Sequence, residues 1–192
     1  MTLRGTAVWL VAFMLSWRAL HAGQGSEAGS PRQVAADLAR RGVPGGIVAR
    51  ERDLDRATSP YRVHTAGPFV HVRGSQEPES VVLSLGRDVY IERDLVLPAQ
   101  DAVFTHVVRA IAGREPQGIL GSGRFPGPEC PLTRPVQLPQ GGSTVVGFLD
   151  EITRQVPGLV WLVTYDEDEP NDGLRVGFVC ADGATVKLSV FP

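Results

Sequence analysis

The chain carries no recognisable catalytic signature, and each missing pattern removes a class of chemistry. No Gly-x-Ser-x-Gly elbow occurs; Gly142-Ser143-Thr144-Val145 lacks the second glycine and opens a helical pattern. Gly121-Ser122-Gly123 followed by Gly127 misses the dinucleotide spacing, with proline where a helix should begin, so it reads as loop. His64 and His71 fall on a predicted hairpin where they could approach each other, but no third metal ligand stands at a recognised spacing. Both are therefore expected at the surface. His106, between Phe104 and Val107 of a predicted helix, is expected on its exposed side. Nothing calls for a cofactor.

Cysteine and excess positive charge are scarce too. Residues 1–22 read as a secretory signal peptide, with Arg4 in a short leader, an apolar run from Gly5 to Trp17 and the exit Leu20-His21-Ala22. The run stops at Arg18, short of the ~20 residues a membrane span needs, so cleavage after Ala22 is expected rather than a retained anchor. Cleavage takes Arg4 and Arg18 from 19 basic residues and no acid, leaving 17 against 21. That balance argues against nucleic acid or an anionic membrane surface as partner. Two cysteines, Cys130 and Cys180, are expected as a disulfide in an exported protein. The loop would span about 50 residues, worth roughly 4 kcal/mol on loop-entropy grounds.

What the chain has in quantity is alternating helical and strand pattern. Ser30-x-x-Gln33 with Pro31 makes a capping box, and Val34, Ala35, Leu38 and Ala39 form an apolar face closed by Gly42. Strands are predicted at Ile47–Ala49, Tyr61–His64, Phe69–Val72, Val81–Leu85 and Val89–Ile91. Leu95–Pro98 leads into a second helix with Phe104, Val107, Val108 and Ile111 on one face, Gln100 or Asp101 as N-cap and Gly113 as terminator. Residues 114–135 are a Gly- and Pro-rich loop. Val136–Leu138 precedes a third helix capped by Ser143 or Thr144, buried through Val145, Phe148, Leu149, Ile152 and Val156, with Asp150 and Arg154 on its solvent face. A buried strand at Leu159–Val163 and a hairpin turning at Asp182-Gly183 complete the chain. Trp161 and Tyr165 read as core and edge aromatics.

Counting from Pro98 and Pro139 aligns the second and third helices without a gap, Phe104 on Val145 and Ile111 on Ile152. Residues 31–73 and 144–191 also share the order helix, strand, loop and two strands, as two related αβ units would. The short strand, the helix VVGFLDEI and the immediate strand LVWLVTY resemble the STN domain, the short N-terminal domain of bacterial secretins and TonB-dependent receptors. The resemblance is best over residues 134–165, less over 95–113, and limited to helix and strand over 31–51. It extends to exported bacterial proteins of unknown function that carry such units without a pore or barrel. Such a resemblance implies a periplasmic interaction domain that docks on another envelope protein. No barrel or secretin ring is expected, because nothing follows Pro192 in this sequence.

The expected architecture is therefore α+β: three amphipathic helices on mixed or antiparallel sheet, in two STN-like units. Their bounds are 23–113 and 136–192, after the signal peptide 1–22 and around the loop 114–135. The acidic run from Asp166 to Glu169, with Asp172, could hold calcium through Asp166, Asp168 and Asp172, but the spacing is not that of an EF-hand, and a solvated loop is the simpler reading. The expected role is non-enzymatic protein–protein interaction by a periplasmic or secreted protein with no stable membrane span once the signal is removed. The alternative is a small exported hydrolase or ligand-binding protein with residues 114–135 as a lid.

Overall fold

The computed structural model describes residues 29–57, 61–74, 76–112, 130–166 and 174–189. The signal segment, most of the 114–135 loop, Asp168 and Asp172 lie outside them. Helix α1 (Pro31–Arg40) starts as its sequence dictates: the Ser30 hydroxyl accepts from Gln33 N, and the Gln33 side chain accepts from Ser30 N. It ends where Gly42 adopts a φ of 65°. Strand β1 (Gly45–Arg50) follows, then the hairpin β2 (Tyr61–Ala66) and β3 (Phe69–Gly74). In the last third, α4 (Val145–Gln155) leads into β8 (Leu159–Tyr165), β9 (Arg175–Cys180) and β10 (Thr185–Ser189). These six strands form one mixed sheet in the order β10-β9-β8-β1-β3-β2. β1 lies at its centre, parallel to both β3 and β8; the other neighbours are antiparallel.

Alternation along the strands sends side chains to two separate cores. Ile47, Val70, Val72, Val160 and Leu162 face α1 and meet Ala35, Leu38 and Ala39. Val48, Trp161, Val163, Val176 and Phe178 face the other way, toward Leu149 and Ile152 of α4. The chain is thus α+β, with helices on both faces of a mixed sheet.

Between the two halves run α2 (Glu79–Leu85), β4 (Asp88–Ile91), β5 (Leu95–Pro98), a further helix, β6 (Pro135–Leu138) and β7 (Gly141–Thr144). β4 pairs with β7 and β5 with β6, so the segment leading into that helix and the one leading into α4 are hydrogen-bonded to one another. Helix α3 runs from Ala99–Ala102 through a π-helical stretch, Val103–Val108, into Arg109–Ala112.

Four local expectations are corrected. Val81–Leu85 belongs to a helix, not a strand: Val81 and Leu85 are buried one turn apart, while Val82 and Leu83 face out. Helix α3 has no side-chain N-cap at Gln100 or Asp101; instead Ala99 N and Gln100 N donate to the carbonyls of Arg134 and Leu132. Its buried stripe runs through Ala99, Ala102, Val103, Val107 and Val108, with Phe104 and Ile111 only half-buried. A π turn holds an extra residue, so the stripe seen in the sequence drifts off the core. The helices begin at Ala99 and Val145, which also displaces the gap-free alignment from Pro98 and Pro139.

Helix α4 is framed as expected. Thr144 accepts from Gly147 N at 3.1 Å, and Val145, Phe148, Leu149, Ile152 and Val156 are buried. Leu149→Ala should therefore cost about 2–5 kcal/mol in urea unfolding. Arg154→Ala, at an exposed i,i+3 ion pair with Glu151, should leave the unfolding midpoint close to that of the parent. Equal losses would show that α4 does not bury this face.

Candidate functional site

Asp150 is not on the solvent face of α4. The residue is 6% exposed, and its carboxylate lies over the sheet, between His71 and Trp161. The construction starts at β1. Gly46 is in register with His71 on β3 and with Trp161 on β8, so the three positions form one row on the α4 side. A Cβ on Gly46 would fall 1.8 Å from the Trp161 ring, so glycine is what allows the indole to lie across β1. The indole and imidazole centroids are then 5.5 Å apart.

Both rings point a donor at the same carboxylate. Trp161 Nε1 donates to Asp150 Oδ1 at 2.7 Å, and His71 Nε2 reaches Oδ1 at 2.9 Å and Oδ2 at 3.1 Å. Thr153, one turn on, donates to the Asp150 carbonyl and accepts from Gly45 N, a second polar tie between α4 and β1. The arrangement orients rings and satisfies a buried acid. At 5% exposure His71 is too enclosed to meet a substrate, and its surface placement is corrected.

The sequence held one clue to this site. Asp150 follows Val146 by four residues and precedes Thr153 by three, which puts it on the flank of the apolar stripe. Its partners lie on strands whose register no local pattern reveals.

The other histidines separate. His64 faces His71 across the β2–β3 pair and is exposed, as expected. His106 is half-buried rather than exposed: it sits on the π turn, its ring 5.8 Å from Phe148, and its Nε2 atom is buried without a partner. Burial, and secondarily the Arg109 charge, holds its pKa below the usual value. His106 also lines an open cleft of about 480 Å³ between β4 and α3, with Tyr90, Arg93 and Arg109 on its walls and the acids Asp88 and Glu92. This cleft has the size of a small-molecule site but mixed charge.

Among the described residues no three His, Cys, Asp or Glu side chains gather as a metal site. Asp166 is exposed where β8 ends. Cys130 and Cys180 are joined in a disulfide with a Cα–Cα distance of 5.4 Å. No described helix is long and apolar enough to cross a membrane.

The last feature is an open edge. β2 pairs with β3 over six consecutive residues, is the last strand of the sheet among the described residues, and is exposed from Arg62 to Ala66. No family model matches this chain, and no match is found among curated proteins or solved structures.

Two outcomes follow from these groups. Asp150→Ala leaves two buried donors without an acceptor and should destabilise by about 3–5 kcal/mol. Asp150→Asn, which keeps one acceptor, should lose less, and a cost under about 0.5 kcal/mol for the alanine variant would show that the carboxylate is not seated as described. His106, with its folded pKa depressed below 6.5, contributes stability that is complete above the unfolded value and is lost as pH falls through the folded one. Chemical unfolding of His106→Gln between pH 7 and pH 5 should accordingly show a shallower loss than the parent; an identical slope would place the imidazole in solvent.

Proposed function

We propose that this protein is a non-enzymatic docking module of the bacterial envelope, related in architecture to STN domains, that receives a partner's extended strand along β2. The observation that carries this reading is the β2 edge. Among the described residues, six regularly paired positions end the sheet with neither face roofed by a helix. An incoming strand would gain backbone hydrogen bonds along the edge, with specificity from alternate side chains. The disulfide and the signal-like residues 1–22 support an oxidising, exported setting. The strand–helix–strand run from β6 through α4 to β8 occupies the stretch where the STN resemblance is best.

A second reading rests on the cleft at His106: a buried, unpartnered ring nitrogen beside a cavity suits a small-ligand binder. One experiment separates the two. Crosslinked capture from a periplasmic extract is compared for the parent, for Val63→Lys on the edge and for His106→Ala in the cleft. The docking reading expects captured species to fall about tenfold or more with Val63→Lys and to persist with His106→Ala. Capture indifferent to the edge, together with a ligand-induced melting shift that His106→Ala removes, would replace it by the ligand reading.

A further inference from the structure

We infer that the partner strand at this edge is β2 of a second copy, the two sheets joining antiparallel about a two-fold axis that passes beside Val63. The inference rests on the docking reading and names its occupant. Natural edge strands are usually blunted by proline, lysine, bulges or covering loops. The opposite edge, β10, follows that rule with Lys187, which is ion-paired to Glu51. β2, Tyr-Arg-Val-His-Thr-Ala, has no proline, no lysine, no acid and no bulge in its pairing with β3. Arg62 is its only fixed charge.

Symmetry then selects the register. In an antiparallel pair, residues directly opposite must both turn their backbone groups inward or both outward, and these orientations alternate along a strand. A strand pairing with its own copy therefore places some residue opposite itself. With Val63 on the axis, Val63 meets Val63 of the second copy, Tyr61 meets Thr65, and Arg62 meets His64. Val63–Val63 is an apolar pair and Tyr61–Thr65 an aromatic–β-branched pair, both of the kind that stabilise sheets, while Arg62–His64 is a polar, exposed pair that adds no such gain. Val63 is 37% exposed, a large apolar side chain left uncovered on this edge. Moving the axis to His64 would stack two imidazoles and leave Val63 opposite threonine. With the Val63 axis the two Arg62 side chains lie diagonally across it, exposed, where salt screens their repulsion.

The test uses the mature chain with its disulfide intact. Sedimentation of the parent over a micromolar concentration range should show a dimer. Val63→Cys should form an intermolecular disulfide under mild oxidation. Thr65→Cys, which faces Tyr61 of the second copy, should not. Val63→Lys should weaken the dimer at least about tenfold while its far-ultraviolet dichroism stays that of the parent. A parent that remains monomeric throughout, a dimer that crosslinks through His64→Cys instead of Val63→Cys, or a dimer unaffected by Val63→Lys each overturns the inference. A monomeric parent whose extract capture is still lost in Val63→Lys overturns self-pairing alone and leaves the docking reading in place; a monomeric parent whose capture is unaffected by that variant overturns both.

Discussion

One buried carboxylate holds the layers of this protein in register. Asp150 brings an acid from α4 into an interior that tolerates it because two ring donors, on β3 and β8, converge on it. A one-residue slip of β8 against β1 would turn Trp161 to the α1 face and remove one donor, while carrying Leu159 and Val163 off their core as well. Apolar packing alone would accept several neighbouring seatings of α4. The carboxylate, with Thr153 bonded to Gly45 N behind it, accepts one. Gly46 is part of the same device, since its missing side chain is the space in which the indole lies.

The middle of the chain depends on that seating in turn. β6 and β7 lead directly into α4, and each pairs with a strand that precedes α3, so the position of α4 sets the position of the ribbon. The residues just before β6 supply carbonyls to the first amides of α3 and, at Cys130, a covalent link to β9. Helix α3 thus needs no capping side chain of its own. It borrows its start from a segment that the disulfide fixes to the sheet.

Much of this was legible in the sequence where the determinants are local. The capping box at Ser30, the glycine exit at Gly42, the threonine cap of α4 and the turn at Asp182-Gly183 each depend on a few adjacent residues. Periodicity failed in two places for different reasons. Val81-Val82-Leu83 looks like strand because β-branched residues favour strands, while the spacing of Val81 and Leu85, with Gly86 as a stop, was the better guide. In α3 the apolar positions fit a regular helix well enough that nothing marked the π turn. The His71–Asp150–Trp161 site was out of reach, because it exists only once β3, β1 and β8 lie side by side. Its three residues looked like a surface histidine, a solvent-facing acid and a core aromatic.

The central position of β1 sets a timetable for assembly. Its hydrogen-bonding partner on one side, β3, belongs to a hairpin complete by Gly74. The partner on the other side, β8, begins at Leu159. A polypeptide emerging N-terminus first therefore presents β1 with one side unpaired, and Ile47 and Val48 with half their cores absent, until most of its length has been released. Residues 31–74 can form their helix and hairpin early, but the sheet closes only with the last third. Cys130 likewise waits for Cys180, so oxidation marks the end of that wait and not its beginning.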